Sequence, residues 1–405
     1  MLGPTSLRRR AVLLGPAFVA AVAYVDPGNV ATNVTAGARF GYALVWVVVL
    51  ANVMAVLVQY LSAKLGLVTR TSLASHLGGR LRRGPRVAFW LQAEAVAVAT
   101  DLAEVVGGAI ALSLLFDLPL VLGAVVTAAV SLLVLRIGDV RGQSALERTI
   151  LGFLALIAVG FVAGLVVNPP AAGDVAGGLV PTFDGAESVL LASGIIGATV
   201  MPHVIYLHSG LTSGRLGGRG RGTSVRDLLG ATRTDVVLAL ALAGLLNLSL
   251  LLVAAAGLQG LPGTDTLTGV HALVTSELGA GVALLFAVAL LGSGLASTAV
   301  GAAAGAEVMH GLLGVRVPLL LRRVVTVVPA LVVLALGVEP SRALVVSQVV
   351  LSLGIPFALV PLVRLTASRA VMGEHVNRPA TTAAACVVAA VVIALNVSLL
   401  VLTFG

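Results

Sequence analysis

Asp26 and Asn29 stand three residues apart, with Pro27 and Gly28 between them, inside the apolar run GPAFVAAVAYVDPGNVATNV. A carboxylate and an amide at that spacing offer two oxygens to one ligand if the helix unwinds at Pro27-Gly28. An acidic side chain at mid-bilayer costs about 2.5–3.5 kcal/mol on insertion scales, so a carboxylate there points to function by default. A second apolar run, SGIIGATVMPHVIYLHSG, is interrupted at Met201-Pro202-His203, 175 residues further on. Proline removes a helical hydrogen bond, and a carbonyl one turn before Met201 is that of Ala198. Charged, amide and carbonyl oxygens beside a thioether suit a divalent transition ion such as Mn²⁺ or Fe²⁺, because Ca²⁺ and Mg²⁺ gain little from sulfur. A lone methionine in an apolar helix is ordinary packing and a lone proline is often only a kink. The conjunction of Asp, Asn and Met at two breaks carries the reading.

A second group of polar residues lies in LQAEAVAVATDLAEVVGG, where Glu94, Asp101 and Glu104 fall on one helical stripe. Unpaired anions on one stripe are too costly for packing, so some must be protonated or paired. Arg322 and Arg323 are candidate partners; the plain alternative is that they mark the end of their own span. His203 follows the second break and is read as a gate or proton-linked residue, with packing as a competitor, and His208 lies five residues on. Asn52 and Asn247 are amides inside spans, open to gate networks or to ordinary interhelical hydrogen bonding.

The elements that must position these groups follow from composition. Of 405 residues 59% are hydrophobic and 10% charged, and the mean hydropathy is +1.09; soluble domains carry about 25% charged residues. The chain divides into eleven candidate spans near 11–35, 43–66, 86–116, 119–137, 147–168, 187–212, 231–257, 279–309, 318–338, 343–366 and 380–403. With the N-terminus inside, Arg8, Arg9 and Arg10, the Lys64 to Arg86 cluster, Arg136, Arg141 and Arg148, the Arg215 to Arg233 loop and the Arg364 to Arg378 loop are all cytoplasmic. Only Arg39 and Arg342 fall outside, together with Asp117, Asp174, Asp184, Glu187, Asp265, Glu277 and Glu339. The expected location is the inner, cytoplasmic membrane, multi-pass, with the N-terminus cytoplasmic and the C-terminus outside.

The pI near 10.9 therefore reflects topology and not nucleic-acid binding, and the Gly/Arg-rich loop LTSGRLGGRGRGTSVRD is read as a flexible connection. MLGPTSLRRR lacks a small-residue cleavage site and is read as a retained terminus. One cysteine, Cys386, permits no disulfide within the chain. The breaks fall in spans one and six, so residues 11–168 and 187–366 read as two five-helix blocks, each opening with a broken helix. Such a pattern points to an all-α transporter of inverted repeats with a site at the midplane. The eleventh span, 380–403, completes a single transmembrane domain over 1–405.

DPGN in span one with MPHVIYLHS in span six resembles the Nramp family of divalent metal transporters. The likeness extends to ATDLAE in span three, LRRVVTVVPAL in span nine and SQVVLSLGIPFALVPL in span ten. The resemblance implies a LeuT-like fold of two inverted five-helix repeats plus an eleventh helix. It implies Asp26, Asn29, the Ala198 carbonyl and Met201 as metal ligands, the methionine being linked to preference for transition metals. It also implies a polar corridor of Glu94, Asp101, Glu104, Arg322 and Arg323 leading from the metal site toward the cytoplasm, the proton moving by way of Asp26, Asp101 and neighbours, with Gln348 retained in span ten as part of a polar network. Two positions depart from the pattern: Leu295 in span eight and Gly354 in span ten stand where glutamine is common, which bears on selectivity and rate.

The expected activity is proton-coupled import of Mn²⁺, with Fe²⁺ and Cd²⁺ as further substrates. The metal is cargo and H⁺ the coupled ion; no bound cofactor, nucleic acid or obligatory protein partner is expected, and the lipid bilayer is the medium. A cation-coupled symporter of small organic solutes on the same fold is the alternative, disfavoured because a negative Asp26 beside a thioether makes a poor anion site. A metal sensor with a soluble tail is disfavoured because spans run to Gly405. An intramembrane enzyme is rejected: HExxH, GxSxG and paired protease aspartates are all missing from the sequence.

Overall fold

A computed structural model describes residues 15–141, 143–214 and 223–404, and among these every regular element is a helix. Arg8 to Arg10 and most of the Gly/Arg-rich loop lie outside the described residues. Span one comprises Pro16–Ala23 and Pro27–Phe40, and span six comprises Gly185–Thr199 and Pro202–Ser213. Spans two to five are Val45–Thr69, Arg83–Phe116, Leu120–Arg141 and Gln143–Val167. Spans seven to eleven are Val225–Leu258, Ala280–Leu313, Leu319–Ala335, Pro340–Thr366 and Pro379–Phe404. Short helices at Leu73–Arg80, Ala172–Gly177 and Leu267–Glu277 lie in the connections, where hydropathy had shown only loop.

Val, Leu and Ala fill the spans, and the few polar side chains face inward. Asp101, Glu104, Asn247 and Gln348 are buried, while Val53, Leu133, Leu245 and Val325 are exposed apolar side chains on the periphery. That inversion of the usual polar surface is what a lipid solvent requires. Spans two and three end at Arg70 and Asp117, both in the left-handed region, which stops each helix without a glycine.

Loops grouped by charge in the sequence share faces in space. Arg39 pairs with Glu187 and Asp265 on one face. On the other, Lys64 Nζ donates to Asn377 Oδ1 at 2.8 Å, joining span two to the segment before span eleven. The start of span one is held from a distance: the Asp235 carboxylate of span seven accepts the backbone N–H groups of Gly15 and Ala17 at 3.0 and 3.1 Å. A helix start with no local side-chain cap is thus satisfied across the bundle.

Candidate metal site at two helix breaks

The first break lies immediately before Pro27-Gly28 and not at those two residues. Tyr24, Val25 and Asp26 are the non-helical residues; Pro27 is the first residue of the second half-helix and Asp26 its cap. Proline at a first helical position loses no hydrogen bond and has the required φ. Span six repeats this, with Val200 and Met201 non-helical and Pro202 starting the second half. Since Pro202 has no N–H, the Ala198 carbonyl four residues earlier has no helical donor. Tyr24 and Val25 also lose helical partners for their carbonyls. Asn247 Nδ2 of span seven donates to the Tyr24 carbonyl at 2.7 Å, and Ser293 Oγ of span eight to that of Val25 at 2.5 Å. Asn247 therefore serves the backbone of the break, and Asn33 Nδ2 donates to its oxygen at 3.1 Å.

Asp26, Asn29, Ala198 and Met201 are all buried at the paired breaks. Asp26 Oδ1 accepts from the Asn29 backbone at 2.8 Å and from Asn29 Nδ2 at 2.7 Å; the same Nδ2 donates to the Ala198 carbonyl at 3.0 Å. One NH₂ group thus bridges two acceptors contributed by two different breaks, a place of concentrated negative potential. A half-turn of the amide puts Oδ1 where Nδ2 stands and converts the bridge into three oxygens facing one point. Asn29 Oδ1 and Gln348 Oε1 are buried with no hydrogen-bond partner among the described residues. Buried acceptors without donors are uncommon and call for an explanation.

Gln348 is closer to this centre than the sequence indicated. Its Nε2 lies 3.5 Å from Asp26 Oδ2, and a Cβ on Gly28 would fall 1.6 Å from that nitrogen. Gly28 is therefore required for the approach of span ten, not for unwinding. Gln348, retained in span ten, thus brings an amide to this centre, and Gly354 leaves no side chain at its own position. Gly354 instead makes room for span three, since a Cβ there would lie 2.9 Å from Gln92 Nε2. Leu295 is a buried apolar residue of span eight.

Gly28→Ala is expected to fold, because the obstructing atoms belong to a flexible side chain, but to displace Gln348 from Asp26. Apparent Mn²⁺ affinity at the candidate site should weaken by roughly 3- to 10-fold, the scale of one ordinary hydrogen bond. Gln348→Ala should show the same loss, and the double variant no more than either single one. Additive losses by isothermal titration would refute the coupling.

Span three touches both breaks. A Cβ on Gly107 would lie 2.1 Å from Pro27 Cβ, beside Asp26, and Thr100 Oγ1 lies 3.4 Å from His203 Nδ1, beside Met201. Asp101 and Glu104 lie between those contacts. Arg323 engages both through Nη1, pairing with Asp101 and reaching Glu104 Oε2 at 3.3 Å. Its Nη2 donates to Thr298 at 3.1 Å and its Nε to Ser131 at 3.3 Å, so every guanidinium nitrogen is used. Arg322 Nη2 donates to Glu94 Oε1 at 3.0 Å. Both arginines sit near the start of span nine, as end-markers would, yet they are buried and turn inward. A cation in the first turns of a helix opposes the macrodipole; carboxylates from span three offset that.

His203 and His208 project to different neighbours. His203 Nε2 is buried without a partner among the described residues, whereas His208 Nδ1 lies 2.9 Å from Gln59 Oε1 of span two. Asn52 is apart from this centre and packs on span seven, where a Cβ on Gly244 would meet its Nδ2 at 2.3 Å. Sequence reading passed over Gln59, Ser131, Thr298, Ser293 and Asp235; the available signal was a polar residue within an apolar span.

Residues 17–402 match the Nramp family, described as natural resistance-associated macrophage protein-like. The chain belongs to the Nramp family. It is 57% identical over 399 residues to the divalent metal cation transporter MntH of Mycobacterium tuberculosis, covering 98% of this chain and 93% of that one. Identity to the MntH of Deinococcus radiodurans is 47% over 396 residues, covering 97% and 90%. Among solved structures, the Eremococcus coleocola manganese transporter superposes with a TM-score of 0.87 at 31% identity, covering 99% of this chain and 88% of that one. MhsT, solved with L-phenylalanine, gives 0.62 at 15% identity over 94% and 98% of the two chains, a likeness of fold alone. The all-helical, polytopic, LeuT-like architecture expected for an Nramp protein is thereby established, and an enzyme reading has no support.

Proposed function

We propose that this Nramp protein imports divalent transition-metal ions, Mn²⁺ first and Fe²⁺ and Cd²⁺ besides, by alternating access coupled to protons. The observation carrying this reading is the Asn29 amide held between Asp26 and the Ala198 carbonyl, with unpartnered oxygens on Asn29 and Gln348 beside it. Asp26 supplies charge, Asn29 and Ala198 neutral oxygens, and Met201 the sulfur that a transition ion accepts and Mg²⁺ or Ca²⁺ does not. A single carboxylate suits cargo that must leave again.

Charge balance supports the coupled ion. Among the described residues, buried Asp26 with Glu94, Asp101 and Glu104 stands against Arg322 and Arg323, an excess of two negative charges when all are ionised. One divalent ion or two protons neutralise that excess, so metal arriving at Asp26 favours proton departure along span three. His203, two residues beyond Met201 and in contact with Thr100 of span three, links the proposed metal site to that route. His208, Asn52 and Asn247 act as gate and packing residues around the moving half-helices. Access is exchanged by rocking of a mobile bundle against the remaining helices, the blocks 11–168 and 187–366 being the two inverted repeats, with the N-terminus in the cytoplasm and the C-terminus outside.

The test is Mn²⁺ uptake into proteoliposomes with excess Mg²⁺ or Ca²⁺. Met201→Ala should still admit Mn²⁺ but lose discrimination over Ca²⁺ by about tenfold or more, since only the soft ligand separates the two classes. Wild-type protein that moves no divalent metal, or moves Mg²⁺ equally well, would overturn the assignment.

A further inference from the structure

Away from the breaks, a groove enclosing about 2070 Å³, its open mouth included, lies between spans two and seven and the segment leading into span eleven. Its two ends differ in chemistry. Lys64, Arg226, Arg233 and Arg378 line one end against a single carboxylate, Glu374, which itself lies 3.4 Å from His375 Nε2. Val53, Leu57, Val236 and Val237 line the other. The gradient runs the same way on both helices, because span two ends at Thr69 on the face where span seven begins at Val225. From Lys64 back to Val53 is about 16 Å along the helix, at about 1.5 Å per residue, close to the depth of one leaflet in a hydrocarbon core of about 30 Å.

We propose that this groove binds an anionic phospholipid, its phosphate among the arginines and its acyl chains along spans two and seven. Arg226, Arg233 and Arg378 are exposed and make no ion pair among the described residues. Basic clefts between transmembrane helices at the membrane boundary recognise anionic headgroups. A free phosphate or an acidic peptide would use the charged end but has no need of an apolar end inside the bilayer; a lipid uses both. On the topology proposed above the lipid belongs to the cytoplasmic leaflet, but the binding itself needs only that the chain spans a membrane.

The groove is also mechanically connected. Lys64 is mostly buried and tied to Asn377, whose Nδ2 donates to Thr366 Oγ1 of span ten at 2.9 Å. Span seven carries Asp235, which holds the start of span one. A headgroup joining Arg233 to Arg378 therefore braces span seven against the entry to span eleven.

The experiment is native mass spectrometry and thermal unfolding of delipidated full-length protein, titrated with phosphatidylglycerol or phosphatidylcholine. Wild type should prefer phosphatidylglycerol and unfold at higher temperature with it. Arg233→Gln/Arg378→Gln should lose that preference by roughly tenfold or more, each basic residue near an anionic surface being worth about fivefold. Arg83→Gln/Arg316→Gln removes two exposed charges elsewhere and should behave as wild type. Should the groove variant not fold, Arg233→Lys/Arg378→Lys, which keeps the charge, must retain the preference. Equal binding of the two lipids by wild type, or equal loss in both Gln pairs, overturns the proposal.

Discussion

Asp26→Asn is expected to abolish Mn²⁺ binding and uptake while leaving the fold in place. Asparagine has the shape of aspartate, and its oxygen can still accept the Asn29 backbone N–H that Asp26 accepts at 2.8 Å. The helix start is therefore still capped, and a flip of the Gln348 amide brings its unpartnered oxygen against the new NH₂ group. What is lost is the negative charge that the proposed site offers to a metal. A deficit of about 3 kcal/mol, modest for a buried charge pair, already weakens affinity more than about a hundredfold. Titration calorimetry and uptake assays should both show it, with circular dichroism unchanged. Binding that stays within about tenfold of wild type would mean that the ion is held elsewhere.

The second large effect is expected at Arg323. Truncation to alanine leaves Asp101 and Glu104 buried without their shared cation, and Ser131 and Thr298 without a donor. Removing one partner of a buried ion pair typically costs about 3–5 kcal/mol, so Arg323→Ala should unfold at a markedly lower temperature in detergent. Adding Asp101→Asn should recover part of that loss, because it deletes one of the stranded charges. Under the proposed coupling, Mn²⁺-driven proton entry, read by a pH-sensitive dye inside liposomes, should not recover, because the same substitution removes a carboxylate from the proposed route. Arg323→Lys should restore stability only in part: an ammonium is a point charge and cannot reach all four partners of the planar fork. Unchanged stability together with unchanged proton entry would remove Arg323 from the route.

Much of this protein was legible without coordinates. Spans of apolar residues set the helices because lipid offers the backbone no other partner, and the sequence-derived bounds differ from the observed ones by only a few residues at most ends. Asp26, Asn29 and Met201 stood out for the complementary reason, that polar or interrupting residues inside a span need a purpose. The stripe of Glu94, Asp101 and Glu104 followed from helical spacing alone.

Tertiary structure decided the rest. Pro27 and Gly28 read equally well as an unwound segment or as the first turn of a new helix; only the close approach of Gln348 shows that Gly28 exists to make space. Whether Arg322 and Arg323 mark a boundary or enter the core depends on which face of span nine meets span three. Asn247 and Asp235 look like ordinary polar residues of span seven, yet one completes the backbone at the first break and the other caps the helix leading to it. Periodicity specifies which residues share a face of one helix. It does not specify the neighbour, because in lipid helix pairing is set by shape and by hydrogen bonds between residues hundreds of positions apart.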